Sequence, residues 1–233
     1  MQNLIADIRY FESSTTNSLN AAFGFLYTVE DNEFLSAVIR FILKLREIGF
    51  CLPDFDHIYI QLTPSLCDGD ILKSDKVDPY HKFYRLIFVG VSPDFFNSLG
   101  EGKKVSFLID RAVGVIQKYF CNSDEEKARV AQCAEIILER GEQERIIFKE
   151  KKADHCTAQI AVKVLDCDAF QACVRVLKDQ AVLKEVEYPK ILGRFELSFQ
   201  FGSIQINKSS VKIKPKKNSL SPLYGFTDFV VPI

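Results

Sequence analysis

Between residues 33 and 48 the polar positions Glu33, Ser36, Arg40, Lys44 and Glu47 recur every three or four residues, and the rest of the circumference is apolar. That stripe predicts a mostly buried helix with one wet edge. Asp31 is placed to cap it and Gly49 to end it. Residues 57–62 alternate and are rich in β-branched side chains, which predicts a strand. Residues 82–91 predict a second, more apolar strand. Residues 64–80 between them carry Pro, Gly and several acids, and structureless loops of that length are uncommon unless they serve a function.

Ser92, Pro93 and Asp94 form a helix start, with Gly100 near its end. A second helix over 105–120 shows a polar stripe of Ser106, Asp110, Gly114 and Gln117. Ser123 and Glu126 match a capping box that opens a third helix, ending near Gly141.

The pattern then changes. Residues 145–149 and 157–165 predict strands, with Ala158, Ile160, Val162 and Val164 on one face. Asp168 and Gln171 fit another capping box, and Gln171, Arg175 and Lys178 trace a stripe that predicts a helix over 169–184. The same residues alternate well enough for a strand. Phe195, Leu197, Phe199 and Phe201 alternate with Glu196, Ser198 and Gln200, which predicts a strand. Gly202 and Ser203 suit a hairpin turn, and 204–206 with 211–213 complete a meander.

The expected class is therefore α+β, with antiparallel or mixed sheets, about four helices and a C-terminal β-meander. A single domain over 1–233 is expected, because each predicted sheet needs helices to cover it. The alternative is a helix-rich part over 1–142 followed by a β-rich part over 143–233.

Composition narrows the function classes. The 233 residues carry 30 Lys+Arg and 31 Asp+Glu, a net charge of −1, so a uniformly basic nucleic-acid binder is disfavoured. The 47% of hydrophobic residues exclude disorder. Twenty Phe and no Trp predict a Phe-rich core. The seven cysteines contain no Cys-x-x-Cys, so neither a disulfide framework nor a zinc site is read, and a reducing compartment is expected. Asp7 and Arg9 interrupt any signal-peptide core, and no apolar run approaches the roughly 18 residues of a membrane span. A soluble cytosolic protein without membrane contact is expected.

Catalytic motifs are all incomplete. Residues 100–104 resemble a phosphate loop, but Asn97 and Lys104 stand where Gly and Ser or Thr are required. Ser92 follows a strand and precedes a helix, but Asp94 replaces the second Gly of a nucleophile elbow. His57, His81 and His155 lack matched spacing to a second ligand or nucleophile, including the His155, Cys156, Cys167 and Cys173 group. Asp68, Gly69 and Asp70 resemble a calcium-loop fragment, but its twelfth position is Pro79. No cofactor, metal or catalytic residue is assigned.

Two charged groups remain. Asp68, Asp70, Asp75 and Asp78, with Tyr80, Phe83 and Tyr84 as aromatic anchors, form a candidate surface for a basic protein partner. Lys208, Lys212, Lys214, Lys216 and Lys217, near Phe199 and Phe201, offer a weaker case for single-stranded nucleic acid. Lys on an edge strand also serves to block edge-to-edge pairing. The leading expectation is a non-enzymatic cytosolic protein-binding protein, of which an immunity-type protein that neutralises a toxin is one concrete kind. An enzyme whose site is assembled from sequence-distant His, Cys and Asp is the alternative. A weak single-stranded nucleic-acid binder is third.

Overall fold

Strands that alternate in sequence and pair in parallel need a crossover between them, and the N-terminal half of the chain supplies one. The computed structural model describes residues 2–16, 22–77, 80–217 and 225–233. They divide into two units, Met1–Gly141 and Glu142–Ile233. In chain order the first contains β1 (Asn3–Leu4), β2 (Asp7–Glu12), α1 (Asp31–Glu47), β3 (Cys51–Leu52), β4 (His57–Thr63), β5 (Ile71–Lys73), β6 (Tyr84–Gly90), α2 (Pro93–Ser98), α3 (Glu101–Tyr119) and α4 (Asp124–Arg140). Its main sheet has the order β2-β4-β6-β5. The first three strands are parallel, and β5 closes the edge antiparallel to β6. Helix α1 is the crossover from β2 to β4.

One face of this sheet builds the core. Ile8, Ile58, Ile60, Leu62, Ile87 and Val89 point into a cluster with α1, α3 and α4, and all are buried. At the end of α1, Gly49 takes φ 74° and Phe50 is buried behind it. The Gly49 amide donates to the Arg46 carbonyl and the Phe50 amide to the Leu45 carbonyl, the bond pair that closes a helix through a left-handed residue. The Ser92 and Ser123 caps form as expected, accepting from the Phe95 and Glu126 amides at 3.4 and 3.1 Å. The Glu126 carboxylate reaches the Asn122 amide at 2.7 Å rather than Ser123, so the reciprocal half of the box is displaced by one residue.

On the opposite face of β4, Gln61 is fully buried between Phe11 and Phe88 in register. Neither amide atom has a hydrogen-bond partner among the described residues. An unsatisfied buried amide costs stability that an apolar side chain of similar shape does not. Gln61→Met is therefore expected to raise stability by about 1 kcal/mol. Urea unfolding measures it, and a lowered midpoint would show that the amide is satisfied.

The second unit contains β7 (Ile146–Ala153), β8 (Cys156–Asp166), β9 (Ala169–Lys178), β10 (Ala181–Glu187), β11 (Ile191–Leu192), α5 (Gly193–Gln200), β12 (Ser203–Ile206), β13 (Ser210–Lys214) and β14 (Phe229–Pro232). An antiparallel sheet runs β10-β9-β8-β7, with β11 also paired to β9. The C-terminal strands form the antiparallel meander β12-β13-β14. The fold is thus a mixed α+β arrangement of five α-helices and several antiparallel or mixed sheets among the described residues.

One segment left open between helix and strand is resolved, and one element reverses the expected type. Residues 169–178 and 181–187 are a hairpin, not a helix. Asp179 and Gln180 both take positive φ, 49° and 69°, which makes the two-residue turn without glycine. Residues 193–200 are a helix, not a strand, so Gly202 follows a helix rather than turning a hairpin. No helix among the described residues is long and apolar enough to cross a membrane.

Candidate binding clefts

In open α/β sheets, ligands bind beyond the carboxyl ends of the parallel strands. Here that end of β6 is Gly90, and the segment after β4 folds directly over it. The Gly69 amide donates to the Gly90 carbonyl at 2.9 Å, and the Gly90 amide donates to the Asp70 carbonyl at 2.8 Å. A Cβ on Gly90 would stand 1.9 Å from the Cys67 carbonyl oxygen, so only glycine permits this approach. The result is a cleft of about 320 Å³ lined by Asp68, Gly69, Gly90, Val91, Phe95, Phe107 and Arg111.

Its basic feature is Arg111 on α3. The guanidinium lies over the Phe107 ring, 4.6 Å from the centroid. Its Nε is buried and has no hydrogen-bond partner among the described residues. Phe95, half exposed, meets Phe107 edge-on at 5.8 Å between centroids. Aromatic and arginine side chains around a desolvated pocket are the commonest binding anchors at protein interfaces. The cleft walls hold no histidine.

Of the seven residues expected to bind a partner, those among the described residues do not form one patch. Asp68 lines the cleft, and Asp70 holds Gly90 through its backbone. Asp75 and Tyr80 are exposed beyond β5, and Asp78 lies outside the described residues. Tyr84 opens β6 at the opposite end from Gly90, about 20 Å away at roughly 3.3 Å per residue. There it stacks on Tyr59 at 4.3 Å between centroids, within a group that includes His57 and Phe83. The sequence reading passed over Phe95, Phe107 and Arg111. The signal was present: an aromatic and an arginine at i and i+4 on a helix, beside a glycine ending a buried strand.

In the second unit, Phe195 and Phe199 of α5 stack at 4.2 Å between centroids. Lys216 lies over the Phe199 ring at 5.2 Å, and its amide donates to the Phe199 carbonyl at 2.7 Å. Phe199, Gly202, Ser203, Gln205, Lys214, Pro215, Lys216 and Lys217 line a cleft of about 620 Å³. Three of the five candidate lysines meet here. Lys212 is instead paired with Asp228 at 2.6 Å, and Lys208 stands exposed between β12 and β13.

The histidines are scattered among other contacts. His57 Nδ1 lies 2.6 Å from Asp56 Oδ1, and His155 Nε2 lies 3.2 Å from the Asn207 carbonyl oxygen. Cys173, with Arg145, Gln171 and Glu187, lines a cavity of about 210 Å³. Burial, then the Glu185 charge, pushes its thiol up, away from the reactive thiolate. Burial likewise pushes the Cys133 thiol up to about 11. Among the described residues no group of three His, Cys, Asp or Glu side chains is placed to hold a metal ion. No protein-family model, curated protein or solved structure matches this chain.

Proposed function

We propose that this protein is a non-enzymatic binding protein that takes a segment of another protein into the cleft at the carboxyl end of β6. The observation that supports this reading is Arg111: a guanidinium set on an aromatic ring, beside half-exposed Phe95, with its Nε unpaired. A partner segment presents an apolar side chain to Phe95 and Phe107, an acidic one to Arg111, and a basic one to Asp68 at the rim. Bidentate pairing with a carboxylate is the chemistry arginine favours in such places. An immunity-type protein that blocks a toxin belongs to this class, since it needs a scaffold and a complementary surface rather than a reaction.

A photocrosslinking residue at position 95 in the source cell identifies the occupant. The affinity of the captured protein is then compared for the unmodified chain, Arg111→Glu and the remote control Tyr80→Ala. Truncating or reversing an interface anchor weakens binding by about tenfold or more, whereas the control leaves it unchanged. Equal affinity for Arg111→Glu and the unmodified chain would overturn the reading, as would the absence of any light-dependent product.

A further inference from the structure

The cleft beside α5 and β13 has a different chemistry from the one on β6. Among the described residues its walls carry Lys214, Lys216 and Lys217 and no acid. Lys214 and Lys217 pair with no acidic side chain among the described residues. A fourth lysine, Lys149, sits close behind, donating to the Phe201 and Gly202 carbonyls at 2.8 and 2.6 Å. Burial, then the charge of Lys216, hold its ammonium below the ordinary lysine range. The local field is therefore positive although the chain as a whole is nearly neutral.

The second component is flat and apolar. Phe195 is 40% exposed, and Phe199 lines the cleft beside it. The two rings sit one helical turn apart, so α5 holds them in a fixed stack. The backbone path fixes the lysines against them. A Cβ on Gly202 would stand 2.4 Å from the Lys216 amide nitrogen, so the two segments touch backbone to backbone.

Cations along a groove with aromatic faces beside them are the components that grip single-stranded nucleic acid: the lysines take phosphates and the rings take bases. We infer that this cleft binds single-stranded nucleic acid without strong sequence preference. Lys214, Lys216 and Lys217 contact the phosphodiester backbone, and Phe195, exposed and backed by Phe199, stacks on a base. A volume of about 620 Å³ lies within the roughly 300–1,000 Å³ of clefts that bury small ligands, so one or two nucleotides are held directly. This site is independent of the Arg111 cleft, and either can fail without the other.

The test uses the full chain and fluorescein-labelled ten-nucleotide oligothymidylate and oligouridylate, followed by fluorescence anisotropy from 20 to 200 mM salt. Binding is expected for both, weakening as salt rises. The variant with Lys214, Lys216 and Lys217 all replaced by Gln loses about two units of the log–log salt slope, at about 0.7 per phosphate contact. Phe195→Ala weakens binding by about 5- to 150-fold, the range of one lost base stack. Circular dichroism confirms that both variants fold. Binding of only one oligomer keeps the site and shows that it reads the 2′-hydroxyl or the thymine methyl, which oligodeoxyuridylate then separates. Inorganic tripolyphosphate carries charge without bases, so its competing as well as an oligonucleotide would overturn the stacking assignment. No binding at 20 mM salt, or a salt slope unchanged in the lysine variant, would overturn the site.

Discussion

Replacing Gly90 by alanine is expected to destabilise the first unit by about 3 kcal/mol or more and to abolish the Arg111 cleft. The added carbon would stand 1.9 Å from the Cys67 carbonyl oxygen, 2.8 Å from its carbonyl carbon and 3.0 Å from Leu66 Cβ. Two of these three atoms are backbone, so no rotamer change relieves the clash. The segment must lift from the strand. It then loses the Gly69–Gly90 and Gly90–Asp70 hydrogen bonds, each contributing about 1 kcal/mol, and overpacking adds about 1–3 kcal/mol. Asp68 leaves the cleft wall with it. Gly102 is the control. It lies in the first turn of α3 with nothing within 4 Å of its would-be Cβ, so alanine there stabilises by about 0.5–1 kcal/mol. Thermal unfolding of both variants measures the contrast. A Gly90→Ala midpoint equal to the original would show that the segment over β6 does not approach as described.

The same close approach shows where sequence reading stops. The helices at α1 and α3 were legible because their polar stripes recur at three- and four-residue steps, and α4 because Ser123 and Glu126 mark its start. The hairpin at 169–187 stayed open between helix and strand, because Gln171, Arg175 and Lys178 step as a helix does while the residues between them alternate as a strand does. Buried Phe170, Ala172, Val174 and Val176 on the other face decide for a strand. The error at 195–201 has the same origin. Phe195 and Phe199 satisfy alternation, but they also stand one helical turn apart, and in the structure they stack that way. The three clustered lysines could be picked out from sequence, but not that a helix would carry Phe199 to them. The acidic segment reads as one surface along the chain. Folding separates it, because Asp68 is pinned to the end of β6 while Tyr84 begins the same strand.

Glu12 carries the second large effect. It ends β2 and is 2% exposed, yet no cation appears beside it in the contacts described. Its carboxylate instead accepts three backbone amides: Phe25 at 2.8 Å on one oxygen, and Leu26 and Tyr27 at 3.1 and 2.9 Å on the other. Backbone donors in the interior must be paired, and this side chain pairs the buried Tyr27 amide together with the part-buried amides of Phe25 and Leu26. Removing it strands the buried Tyr27 amide, at about 1–3 kcal/mol, and the two part-buried amides turn to water at a smaller cost. Glu12→Ala is therefore expected to cost about 2–4 kcal/mol. The damage reaches the Arg111 cleft. Tyr27 is fully buried against Phe96, and its hydroxyl donates to the carbonyl of Val91, a cleft residue, at 2.7 Å. Burial raises the Tyr27 phenol well above its ordinary range, so it remains a donor through neutral and alkaline pH. Glu12→Gln keeps the shape and one acceptor oxygen, and its loss should fall between those of alanine and the original. Hydrogen exchange read by mass spectrometry locates the effect: protection at residues 25–27 should drop in Glu12→Ala before protection in β4 does. Retained protection there, with an unchanged unfolding midpoint, would mean that the amides find other acceptors and that Val91 is held from elsewhere.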